Sequence, residues 1–249
     1  MRGLLASVAV LLATAAYAGT PIPDQSTQLV LVITRDWDAN QGTLQTFRRE
    51  SGQWVATKES FSISLGRAGS AWGVGLHDAQ PGPQKREGDG RSPAGAFAIG
   101  PAFGYAERAS FGIPYRAMTE FDFCIDVNDS PLYNRIVDAR SVGREAVAQS
   151  TEPMRRDIHA NGDVRYQLGF VIQHNPRNVS GQGSCIFAHL WGAPGQTTAG
   201  CTAMDEDAMR DLLGWLDDSA EPVFVLLPID EYRRVAAAWG LPLGVEGTK

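Results

Sequence analysis

The chain holds only three cysteines and four histidines in 249 residues. None falls at a compact metal-ligand spacing, so neither a zinc centre nor any other cofactor is expected. Positive charge is not in excess either. Twenty-two Lys and Arg face 28 Asp and Glu, a net charge of −6. That balance argues against a nucleic-acid partner and against electrostatic docking on anionic lipid. After the N-terminus there is no apolar run long enough to span a bilayer. Internal repeats and low-complexity segments are missing too.

What is present begins with an export pattern. Arg2 precedes an apolar run over residues 4–16, which ends in Ala16-Tyr17-Ala18. A charged start, an apolar stretch and a small-x-small site read as a secretory signal over residues 1–18. No cysteine stands beside the cut, so lipid attachment is not expected there. The implied location is periplasmic, with no stable membrane span after cleavage. A short lead follows over residues 19–28. With 43% hydrophobic residues, residues 29–249 can form one core and are read as a single catalytic domain.

The patterning is mostly β, a β-rich α+β chain built as an antiparallel sheet or sandwich. Buried or alternating runs at residues 29–33, 42–48, 53–56 and 61–65 read as a meander. Further strands are expected at residues 121–127, 166–174, 185–190 and 222–228. Glycine and proline punctuate residues 66–104. The charged part of that stretch, residues 85–97, reads as a solvated hairpin tip or as a substrate-contacting loop. Residues 138–148 fit a loop or a short helix equally well. A helix is expected to start just after Cys201, capped by Thr202 with Asp205 three residues on. A closing helix runs over residues 229–239, stopped by Gly240 and Pro242.

An odd cysteine count in an exported chain leaves a thiol over. Cys124 and Cys185 both lie in apolar, strand-like runs. Their pairing in an oxidising compartment would leave Cys201 free. Cys201 follows Gly200 at what reads as a loop-to-helix junction. Free N–H groups there would favour a thiolate and form an oxyanion site. His189 ends a strand twelve residues ahead of Cys201, and a neutral imidazole there is the candidate base. His174, at another strand end, either orients His189 or lines the cleft. The competing account of each residue is a buried structural role. His77 is a surface histidine or a metal ligand.

The order His189, then Thr198-Ala199-Gly200-Cys201, resembles the His…Ser/Thr-x-Gly-Cys signature of the YkuD-type L,D-transpeptidase catalytic domain. The run Gly88-Asp89-Gly90-Arg91-Ser92-Pro93-Ala94-Gly95-Ala96-Phe97 is similar to that family's Gly-Asp-x-x-Thr-Pro-x-Gly-x-Phe segment. The resemblance implies a mostly β domain that transfers acyl groups of peptidoglycan stem peptides through a cysteine thioester. Cys201 would be the nucleophile, His189 the base and Gly200 part of the oxyanion site. Thr198 would stand at the motif's Ser/Thr. Ala199 replaces the family's usual His, Ala203 replaces its Arg, and the His-to-Cys loop is shorter. With that cation absent, Arg86, Arg91 or Arg177 is a candidate to meet a substrate carboxylate from another loop. Two other functions stay open: a peptidoglycan hydrolase on the same fold (L,D-carboxypeptidase, endopeptidase or amidase) and a non-catalytic envelope-binding module.

Overall fold

The computed structural model describes residues 20–58 and 60–245; the export pattern at residues 1–18 lies outside them. The most apolar run forms β1 (Gln28–Thr34), in which every residue is buried. It pairs antiparallel with β2 (Gln41–Glu50), which alternates buried and open positions. β3 (Gln53–Ala56) extends β2, and β4 (Phe61–Ser64) pairs on β2's other half. The expected N-terminal meander is therefore present. Ile22 is buried in the core and the Thr20 hydroxyl donates to Trp239 O at 2.7 Å, so the lead segment is docked on the body.

The Gly/Pro-punctuated stretch differs from expectation. After the short β5 (Ser70–Trp72) it enters β6 (Ser92–Gly104), a 13-residue strand. Gly95 makes this possible: its φ is +133°, and a Cβ there would sit 1.8 Å from the His77 ring. The charged residues before β6 form a tied turn, not a solvated tip. Asp89 accepts from Lys85 Nζ at 2.6 Å, Arg86 N at 2.8 Å and Arg91 N at 2.9 Å. Lys85 is buried, so this carboxylate partner is what makes its charge tolerable there.

Next come β7 (Tyr115–Ala117), β8 (Asp122–Cys124), β9 (Ile136–Asp138) and β10 (Glu152–Pro153). Then follow β11 (Leu168–Ile172), β12 (Phe187–Leu190), β13 (Thr202–Met204) and β14 (Val223–Pro228). Eight strands close on themselves in the order β1-β14-β6-β11-β12-β13-β4-β2. The β1–β14 and β12–β13 junctions are parallel and the other six are antiparallel. The chain is mostly β, and its main sheet is a closed mixed barrel where an antiparallel sheet or sandwich was expected. Closure removes the exposed edges an open sheet would leave.

Among the described residues there are five α-helices: α1 (Ala139–Val142), α2 (Arg144–Val147), α3 (Arg156–His159), α4 (Glu206–Trp215) and α5 (Ile229–Trp239). α5 packs on β1 and β14, and Gly240 ends it in a left-handed conformation, as expected. α4 turns Met209, Leu212 and Leu213 into the main core. The ambiguous segment at residues 138–148 resolves into α1 and α2, the first capped by the Asp138 side chain. No helix among the described residues is long and apolar enough to cross a membrane.

β8, β9 and β10 form a separate three-stranded sheet, order β10-β8-β9. With α1, α2 and α3 it makes a cap around a small apolar cluster of its own, centred on Ile125, Ala139 and Val147. The cap lies over the outer face of the barrel wall. Alternation along the wall shows the two faces. Ala102, Phe170 and Ala188 point to the main core, while their neighbours Phe103, Val171 and Phe187 join a second cluster with cap residues Met118, Cys124 and Met154.

Candidate active site

Cys201 lies in this second cluster, between the barrel wall and the cap. Its backbone is set by the two segments that carry the family resemblance. The Thr198 hydroxyl donates to Cys201 O at 2.7 Å and accepts from Gly200 N at 3.1 Å. The Ser92 hydroxyl donates to the same carbonyl at 3.0 Å and accepts from Gly66 N at 2.9 Å. Gly200 has a φ of +158°, and a Cβ there would press on Arg91 O at 3.0 Å. The Gly-Cys pair thus fits a close backbone approach between the two segments.

The expected helix at Cys201 is absent. Residues 202–204 form β13 instead, pairing parallel with β12. The N-cap is Asp205, whose side chain accepts from Asp207 N and Ala208 N, and α4 starts at Glu206. Thr202 is β-branched and buried beside Ala188, so strand pairing overrides its capping potential. No helix N-terminus therefore acts on the thiol. Burial pushes the Cys201 thiol up to about 12, and the charge of Glu152 adds to the rise. The resting group is a neutral thiol. Its Sγ accepts from Phe187 N at 3.3 Å and its S–H points to Cys185 O at 3.5 Å. The Gly200 N–H is taken by Thr198, so it is not an open oxyanion donor in this conformation.

The strand expected to begin at Cys185 begins at Phe187. Cys185 has a left-handed backbone, φ 55°, and its N–H is bound by Asn134 Oδ1 at 2.9 Å. Its sulfur is joined to Cys124, as the cysteine arithmetic suggested, and Cys201 remains free. The disulfide ties the cap to the wall next to the thiol.

His189 is on the same wall face. His189 pairs with Ala203 and Ala188 with Thr202. Phe187 and His189 are two apart on β12, so they share a face, and Cys201 stands beside Phe187. The imidazole is buried, and burial lowers its pKa to about 4. Its Nδ1 lies 2.7 Å from Leu190 O. A carbonyl only accepts, so Nδ1 carries the proton and Nε2 keeps a free lone pair. Nε2 makes no hydrogen bond among the described residues, and none joins it to Cys201. Tyr166 touches both. Its ring contacts His189 at 5.1 Å between centroids, and its hydroxyl bears on the thiol. That hydroxyl donates to Glu152 Oε2 at 2.7 Å. Burial raises the Glu152 carboxyl, opposed by Tyr166 and Arg156.

His174 does not orient His189. Its Nδ1 accepts from Val74 N at 3.2 Å and its Nε2 donates to Gln182 O at 2.8 Å. Both nitrogens are engaged, and burial lowers the ring to about 4. It does line a groove beside the site. Arg91 is not a free substrate cation. Its guanidinium donates to Trp37 O at 3.0 Å, Ser70 O at 2.9 Å and Asp38 Oδ1 at 2.8 Å. Arg86 and Arg177 are exposed, their guanidinium groups have no partner among the described residues, and no contact brings either to Cys201. His77 is boxed by Trp72, Phe97 and Trp239. No cluster that would hold a metal ion occurs among the described residues.

Sequence reasoning missed Tyr166, Glu152 and the Phe187 N–H. Tyr166 carried a faint signal, an aromatic opening an alternating strand run. Glu152 carried none, because only the folded cap brings it to the Tyr166 hydroxyl. No family model, no curated protein and no solved structure matches the chain.

Proposed function

We propose that the chain is a cysteine acyltransferase of the L,D-transpeptidase kind, acting in the periplasm on peptidoglycan stem peptides. The main support is that both family-like segments meet at one atom: Ser92 and Thr198 hydroxyls both donate to the carbonyl of Cys201, the free cysteine. The Cys124–Cys185 bond suits an oxidising compartment. The YkuD-like sandwich expected from the motifs belongs to this proposal; the barrel is what the chain itself adopts.

In the reaction, Cys201 Sγ attacks the carbonyl carbon of the diamino acid, in its peptide bond to D-alanine. The thiol proton passes to His189 Nε2 and then to the departing D-alanine nitrogen as the C–N bond breaks. A neutral thiol and a neutral imidazole are suited to proton transfer concerted with attack, with no resting ion pair. No hydrogen bond joins the two groups at rest, so the side chains must close on each other for this transfer. The thioester then passes to an amine, giving a crosslink, or to water, giving trimming.

One observation favours a second reading, a non-catalytic envelope-binding module: the buried thiol is pushed up to about 12 and no hydrogen bond links it to His189. Defined muropeptides incubated with wild type and Cys201→Ala, read by mass spectrometry, separate the two. Release of D-alanine by wild type alone supports the enzyme. No product from either protein leaves the binding module, and equal products from both remove Cys201 as the nucleophile. The mass of any new product distinguishes an amine from a water acceptor.

A further inference from the structure

A groove of about 490 Å³ runs between the cap and the barrel wall. Met118 and Ile136 from the cap face Val171 and Ile186 from the wall, so much of its surface is apolar. Two arginines, Arg116 and Arg135, also line it, and no aspartate or glutamate does. That is a local reversal in a chain of net charge −6. Arg116 is neutralised by Asp122 and also donates to Ile136 O. Arg135 is exposed, and its guanidinium has no hydrogen bond or ion pair among the described residues. The groove passes beside the buried thiol, which does not itself line it. Cys185 and Phe187 line it, and they supply the carbonyl and the N–H that hold Cys201 Sγ at 3.5 Å and 3.3 Å.

We propose that this groove binds a short linear peptide with free carboxylates, one of them on the Arg135 guanidinium. The volume falls within the usual range of ligand sites, about 300–1,000 Å³. Arginine's planar fork matches a carboxylate with two parallel hydrogen bonds. The apolar walls take the aliphatic parts of the peptide. The identity of the occupant as the acyl donor rests on the acyl-transfer reading above; the binding itself does not.

The test is calorimetric titration of the full chain bearing Cys201→Ala, so that nothing turns over. The probes are a stem tetrapeptide with free carboxylates and the same peptide fully amidated. Arg135→Ala is added to the same background, with Arg108→Ala, exposed and outside the groove, as control. The free acid should bind about tenfold more tightly than the amide. Arg135→Ala should remove that tenfold for the acid and leave the amide and the melting temperature unchanged, while Arg108→Ala changes nothing. Equal affinity for acid and amide, an unchanged Arg135→Ala or no binding at all overturns the groove. Arg135-dependent binding in a protein whose wild type releases no D-alanine keeps the groove and removes acyl transfer. D-alanine release without Arg135 dependence does the reverse.

Discussion

The two faces of β12 obey different rules. On the inner face, Ala188 and Leu190 join a core of apolar side chains drawn from all eight barrel strands. On the outer face, Phe187 and His189 stand under the cap with a thiol, a disulfide, a tyrosine hydroxyl and a half-buried carboxylate. The inner face needs only volume and shape, since it has few polar atoms to satisfy. The outer face is equally dry but polar, and each group there must find a partner or change its protonation state. Most do find one. His189 Nε2 does not, and Cys201 keeps its proton. The contrast sets a packed wall against a face where buried chemistry is held in reserve.

The contrast breaks most visibly by truncation. Phe170→Ala on the inner face should cost about 3–5 kcal/mol in denaturant unfolding, while Cys201→Ala should change stability by no more than about 1 kcal/mol. A large loss from Cys201→Ala would mean that the thiol is there for packing. Next in size is the cap's tether. The disulfide spans 61 residues, so replacing both cysteines by alanine should cost about 4 kcal/mol by chain entropy. Exchange of cap amides should rise more than that of barrel amides in hydrogen-exchange measurements.

A pH series sharpens the comparison further. His189 and His174 are both depressed to about 4 by burial. A depressed group contributes stability above its unfolded value of about 6.5, and that stability is lost as pH falls toward 4. Each histidine should therefore cost up to about 3 kcal/mol over that window, read as a falling melting temperature that flattens below it. The smallest effect separates the two rings. His174→Gln leaves the Val74 N–H and Gln182 carbonyl without their partners and should cost about 1–3 kcal/mol. His189→Gln loses one ring contact to a carbonyl and should cost less, while lowering any thioester formation by about 10²–10⁴. The reverse order would place the structural histidine at position 189.

Much of this was legible along the chain. The buried β1, the N-terminal hairpin, β14 and α5 are local patterns, and they fell where hydrophobic periodicity put them. Cys124 and Cys185 were paired by arithmetic and by their apolar surroundings. Three failures share a cause. Thr202 could cap a helix or pair as a strand, and β12 alongside decided for the strand. The charged residues before β6 suggested a solvated tip, but Asp89 gathers Lys85 and two backbone N–H groups into a folded turn. Arg91 was a candidate for substrate until Trp37, Ser70 and Asp38 took its guanidinium. Each depended on partners far away in sequence.

By itself, the sequence determined which residues are apolar, how they alternate, and that at least one cysteine of three would be left unpaired within the chain. Those are properties of neighbours along the chain, where pattern and period suffice. Only the tertiary structure decided that the strands close into a barrel, that a cap covers one outer face, and that Cys201 rests there as a neutral thiol. Protonation state follows burial and nearby charge, and both are supplied by Glu152, Tyr166 and the cap, which come together only when the chain is folded.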